Sequence, residues 1–93
     1  MTRPIGDLDI NLLLALDALL QDQNVTHAAA RLNITQSALS GRLTRLRRIF
    51  NDPVFVPSSS GRGMTPTSHT LALKPELQRL LQQLTQFDQS GHV

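Results

Sequence analysis

The stretch Val25-Thr-His-Ala-Ala-Ala-Arg-Leu-Asn-Ile-Thr-Gln-Ser-Ala-Leu-Ser-Gly-Arg-Leu43 decides the fold. Ala29 is small enough to sit where two helices cross closely. Leu32 and Ile34 flank Asn33, a residue type that tolerates the left-handed turn conformation. Thr35 is placed to cap the helix that follows, and Leu39 and Leu43 turn one face of that helix inward. A short helix, a tight turn and a second helix with a polar outer face have the spacing of a helix-turn-helix. In that motif the second helix enters the major groove of DNA. An ordinary αα-hairpin is the alternative. Against it, the small, apolar, turn and cap residues all fall in register.

Working outward, the spacing predicts a helix over 36–50 in which Leu39, Leu43, Leu46 and Phe50 face the core. Gln36, Ser37, Ser40, Gly41 and Thr44 then project the other way. Glycine is costly inside a helix, and close approach of a nucleic acid would favour it at position 41. Asn51 is placed as a left-handed cap, with Pro53 two residues later. Upstream, a first helix over about 9–23 carries an apolar stripe of Leu12, Leu13, Leu16, Leu19 and Leu20, with Asp7 or Asp9 as its cap. Asn24 ends that helix or caps a second one over about 26–32.

Downstream, Val54-Phe-Val-Pro57 is a strand pattern, and residues 62–64 are expected to return as its partner after a flexible turn at 58–63. A two-stranded hairpin after a reading helix forms the wing of a winged helix. Arg62 lies near its tip between two glycines that let the backbone come close to a partner, on a phosphate or in the minor groove. Thr65 is expected to cap a fourth helix with Pro66 in its first position. Leu73, Leu77, Leu80, Leu84 and Phe87 step by four, three, four and three, the spacing of a coiled-coil seam, widened by Leu71 and Leu81. Pro75 should bend this helix. So small a domain cannot bury so long a stripe alone, which points to homodimerisation through the fourth helix.

The fold expected is mainly α: a winged helix-turn-helix, with a three-helix core and a two-stranded wing, followed by a long dimerisation helix. The corresponding boundaries are 1–65, 66–89 and a disordered tail over 90–93.

Composition sets limits. Ninety-three residues allow one small domain, and with three Phe and no Trp or Tyr its packing must be aliphatic. The absence of cysteine excludes disulfides and thiolate zinc sites. The net charge is only +2, but it is unevenly spread. Residues 1–24 hold Arg3 against four Asp, whereas 31–62 hold Arg31, Arg42, Arg45, Arg47, Arg48 and Arg62 against Asp52. A basic middle beside an acidic start suits one face to a polyanion. The apolar run from Leu12 to Leu20 contains Asp17 and is too short to span a membrane. With no signal-peptide pattern either, a cytoplasmic protein is expected. His27, His69 and His92 are scattered, and no metal set, cofactor loop or catalytic constellation stands out, so no enzyme is expected.

Five segments resemble one family: Asp9-Ile-Asn-Leu-Leu-Leu-Ala-Leu16, Val25-Thr-His-Ala-Ala-Ala-Arg-Leu32, Thr35-Gln-Ser-Ala-Leu-Ser40, Asp52-Pro-Val-Phe55 and Met64-Thr-Pro66. Together they are similar to the N-terminal domain of LysR-type transcriptional regulators, over nearly the whole chain. The resemblance implies DNA contacts at Thr26, Thr35, Gln36, Ser37, Ser40 and Arg62, and dimerisation by the fourth helix as a linker. It also implies a large effector-binding domain, which would begin where this chain stops and is absent from it. Three positions depart from the family pattern. Ser37 replaces a usual proline, Gly41-Arg42 a more typical Arg-Gln pair, and Pro57 a usual arginine.

The residues and the resemblance agree on sequence-specific binding of double-stranded DNA, two copies reading an interrupted palindrome. Base reading falls to Gln36, Ser37 and, on a longer reach, Arg42 or Thr44. The alternative is a protein-interaction module, which would want an apolar or acidic outer face on the third helix. Gln36, Ser40, Arg42, Thr44 and Arg45 oppose it.

Overall fold

The computed structural model describes residues 9–90, the side chains of 87–90 excepted. Six elements follow in order: α1 (Ile10–Asp22), α2 (Val25–Leu32), α3 (Gln36–Phe50), β1 (Phe55–Pro57), β2 (Met64–Pro66) and α4 (Ser68–Ser90). The first three helices share one local grammar. Each starts at a side chain that accepts a backbone N–H and stops at a left-handed residue. Asp9 accepts from the N–H of Leu12 at 2.9 Å, Asn24 from His27 at 3.0 Å and Thr35 from Ala38 at 3.0 Å. The stops are Gln23 (φ 51°), Asn33 (φ 59°) and Asn51 (φ 51°). Asp7 and residues 91–93 lie outside the described residues.

α1 is the central element. It buries Leu12, Ala15, Leu16, Ala18, Leu19 and Leu20 against Ala28 and Ala29 of α2 and Leu39, Leu43 and Leu46 of α3. The two alanines let α2 lie close to its neighbours, as Ala29 suggested. Phe50 is half-buried, its ring 6.1 Å from that of His69.

The wing differs from the sequence expectation at both strands. β1 begins at Phe55, because Val54 has φ +66°, a region that β-branched residues avoid. Its backbone is held from both sides. The Val54 N–H donates to Asp52 at 2.8 Å, while its carbonyl accepts from the Thr67 N–H and the Thr70 hydroxyl, both at 2.9 Å. The side chain is buried, so packing and hydrogen bonds together offset the backbone strain.

β2 pairs antiparallel with β1, Phe55 opposite Pro66 and Pro57 opposite Met64. Thr65 and Pro66 are therefore strand residues and do not open α4. The cap is Thr67, whose hydroxyl oxygen accepts from the Thr70 N–H at 3.3 Å. β2 thus ends at Pro66 and α4 begins at Ser68. α4 continues through Pro75, which has no N–H to give the Leu71 carbonyl.

α4 seats on α1 through Leu77, only 5% exposed, with Leu81 half-buried beside it. Leu77 is therefore part of this chain's own core. Leu73 is half-buried, while Leu80 and Leu84 stay 42% and 41% exposed. The side chain of Phe87 lies outside the described residues.

Candidate nucleic-acid interface

α3 presents the candidate surface. With Leu39, Leu43 and Leu46 turned inward, Gln36, Ser37, Ser40, Gly41, Thr44, Arg45 and Arg48 are exposed, and Arg42 is half-exposed. Ala38, Gly41, Arg42, Thr44, Arg45 and Arg48 line one shallow open groove along the helix. Thr26 is exposed at the start of α2, and Arg62 is exposed in the loop between the strands.

Hydroxyl chemistry differs along this face. The Thr35 oxygen accepts the cap hydrogen bond, which leaves its proton free to give outward. Thr44 instead donates its proton to the Ser40 carbonyl at 3.0 Å, so it presents an acceptor and a methyl group. Gln36 and Ser37 occupy the first turn of α3, where unpaired backbone N–H groups add positive potential.

The six arginines of the basic middle separate into two kinds. Arg31 is bound to Asp22 by two 2.8 Å hydrogen bonds. The guanidinium hydrogen bond holds the Asp22 carboxyl below the usual carboxylate range, and the same bond raises Arg31. Arg47 donates from Nε to the Pro53 carbonyl at 2.7 Å and from Nη2 to the Phe55 carbonyl at 2.9 Å. It fastens α3 to the entry of β1 and is withdrawn from the polyanion face. Arg42, Arg45, Arg48 and Arg62 make no side-chain hydrogen bond or ion pair among the described residues. Arg48 was not singled out in the sequence, although its spacing of three from Arg45 makes the two neighbours on the helix surface.

The wing's placement is fixed at its base. The Met64 N–H donates to the Gln23 carbonyl at 2.8 Å, beside Gly63 at φ +71°. A Cβ at Gly63 would collide with that same Gln23 oxygen. Gly63 therefore serves the docking of the wing on the α1–α2 junction. At the tip, the Ser58 and Ser60 hydroxyls lie 3.0 Å apart, and the Arg62 N–H donates to Ser60 Oγ at 3.4 Å.

Behind the interface, Asp52 accepts from the Val54 N–H and, at 2.7 Å, from the Thr67 hydroxyl. The Thr67 hydrogen bond, then that from Val54, holds the Asp52 carboxyl below its ordinary range. This cluster ties the end of α3 to the first turn of α4. Among the described residues no group of three or more His, Asp or Glu could hold a metal ion, and no helix is long and apolar enough to cross a membrane.

The chain is 40% identical over 92 residues to the HTH-type transcriptional regulator YidZ of Citrobacter koseri, spanning 99% of this chain and 28% of that protein. The crystal structure of the probable transcriptional regulator PA0477 from Pseudomonas aeruginosa superposes with a TM-score of 0.81 at 38% identity, over 88% of this chain and 27% of that one. The chain thus spans little more than a quarter of either relative. A complex of BenM_DBD with catB site 1 DNA shares the fold, with a TM-score of 0.82 at 21% identity over 90% of this chain and 92% of that one. The family model described as "Bacterial regulatory helix-turn-helix protein, lysR family" matches residues 10–70. On these grounds the chain belongs to the LysR family of bacterial helix-turn-helix regulators.

Proposed function

We propose that this chain is the DNA-reading module of a LysR-type transcriptional regulator, binding double-stranded DNA as a dimer at an interrupted palindrome. One observation carries the reading. The outer face of α3 combines a polar first turn with Arg42, Arg45 and Arg48, which make no side-chain hydrogen bond or ion pair among the described residues. Guanidinium groups would neutralise phosphates and supply affinity without sequence information. Gln36 and Ser37 would read base edges, Gln suiting adenine, with Arg42 on a phosphate beside them. Thr26, Thr35 and Ser40 would hold phosphates around the reading helix, and Arg62 would anchor the wing on the backbone or in the minor groove. The fold shared with the BenM_DBD complex, which contains DNA, supports DNA as the partner.

Dimerisation is proposed through the exposed part of the α4 stripe. Leu80 rims a groove floored by Leu13, Leu16, Phe50 and Leu73, and Leu84 lies beside Ile10 and Leu14 on the other flank of α1. Two protomers joined there would read two half-sites, each raising the effective concentration of the other. Such a regulator acts in the cytoplasm and has no catalytic role. Effector binding, which the family resemblance implies, is not attributed to these residues. Selection of bound duplexes from a random DNA pool tests the proposal. A recovered inverted repeat supports it, and recovery of unenriched sequence contradicts it.

A further inference from the structure

We propose that Gly41 is a specificity-determining residue, and that the α3 backbone at this point packs directly against base-pair edges of the bound DNA. This rests on the DNA-binding function proposed above. Gly41 is the sixth residue of a fifteen-residue helix whose other residues all carry side chains. Glycine is among the poorest helix formers, because it loses the most backbone freedom and packs nothing. A glycine inside a helix therefore needs a reason, and the fold supplies none. Its φ is not in the left-handed region, and a Cβ built at Gly41 meets nothing within 4 Å. Among the described residues, no neighbouring helix, strand or loop requires the missing methyl group. Gly63 makes the contrast within the same chain, since its Cβ would strike the Gln23 carbonyl.

What surrounds Gly41 points outward. It lies in the groove lined by Ala38, Arg42, Thr44, Arg45 and Arg48, with exposed Ser37 one turn before it. Ser37, Ser40 and Thr44 on one side of it are short, while Arg45, one turn on, and Arg42 stand on the other side and Arg48 lies two turns further along. Arg42 and Arg45 thus border the depression on one side, where they would grip phosphates, and hydroxyl side chains border it on the other. At Gly41 itself the helix backbone is bare. A reading helix lacking a side chain at this point can sit deeper in the major groove than one with a long residue there. Thr44, three residues on, presents a methyl group and an acceptor oxygen, since its proton is given to Ser40. That is a surface for direct contact with base edges and not for phosphates.

The test compares Gly41→Ala and Gly41→Leu with the wild-type chain, on the duplex selected from a random pool and on a random duplex of equal length. Urea unfolding of each variant is measured alongside. Gly41→Ala should unfold at higher urea than wild type, because it relieves the glycine cost and meets nothing. It should nevertheless bind the selected duplex about tenfold or more weakly, the scale of one lost base contact. Binding to the random duplex should change less than about twofold, and Gly41→Leu should deepen the specific loss. Gly41→Ala binding the selected duplex as tightly as wild type overturns the proposal. So does a lower urea midpoint, which would give the glycine a structural role, or an equal loss on both duplexes, which would place the contact on phosphates. A wild-type chain with no preferred duplex would sink the DNA-reading function itself, a result separable from each of these.

Discussion

Leu77 and Leu80 stand three residues apart on α4 and are expected to fail in opposite ways. Leu77 is 5% exposed and packed into the core with α1, so Leu77→Ala removes buried methyl groups and leaves a cavity under the helix. Such truncations cost about 2–5 kcal/mol, a large part of the roughly 5–15 kcal/mol that holds a small domain together. Leu80 is 42% exposed in the protomer. Full burial of a leucine is worth about 1.5–3 kcal/mol, so removing its half-covered side chain should cost the isolated protomer about 1 kcal/mol. In a dimer the same residue would contribute its remaining area. Leu77→Ala should therefore lower the urea midpoint at every protein concentration. Leu80→Glu should leave the domain folded, shift the sedimenting species to monomer and weaken full-site binding while sparing half-site binding. A Leu80→Glu variant that stays dimeric with full affinity would move the interface elsewhere, with Ile10 and Leu14 of α1 the next surface to test. A Leu77→Ala cost below about 1 kcal/mol would refute the seating of α4 on α1.

Gln36→Ala and Ser37→Ala should relax sequence preference at a cost of about 1–3 kcal/mol per lost base contact, whereas Arg62→Ala should weaken selected and random duplexes alike. Competition binding on both duplexes separates the two behaviours. Arg47→Ala should lower stability by about 1.5–3 kcal/mol through its lost carbonyl contacts, with the salt dependence of DNA binding unchanged. Arg45→Ala should do the reverse, measured by paired denaturation and titration. Asp52 supplies an acid-sensitive contribution. Its pKa is lowered by folding, so the stability it gives is fully present above the unfolded value near about 3.9 and is lost as pH falls through the folded value. Across that acid window the urea midpoint of wild type should fall more steeply than that of Asp52→Asn.

Much of this fold is written locally. Thr35, Asn33 and Asn51 sit where their side-chain and backbone preferences demand, so α3 was legible to the residue. The start of α4 was not, because two threonines compete for the cap. Thr65 precedes a proline, the usual helix opening, yet pairing of Val56 with Thr65 claims it for the sheet and leaves the cap to Thr67. Val54 was hidden for the same reason: its positive φ is imposed by Asp52, Thr67 and Thr70, partners up to 16 residues away. The interface was legible as a face but not as an inventory. Periodicity placed Arg42 and Arg45 outward, but only the tertiary structure shows Arg47 tied to two carbonyls and Arg31 to Asp22. On α4, spacing alone could not tell that Leu77 faces the protomer's own core while Leu80 remains exposed.

The central claim is that four unpartnered guanidiniums, Arg42, Arg45, Arg48 and Arg62, hold DNA phosphates around a base-reading helix. Titrating a labelled, selected duplex across a range of salt concentrations tests it most directly. At about 0.9 per neutralised phosphate, these groups predict a log–log slope near −3.5 per protomer and about −7 for a bound dimer. A slope near zero, or one unmoved by replacing Arg42, Arg45 and Arg48 with alanine, would contradict it.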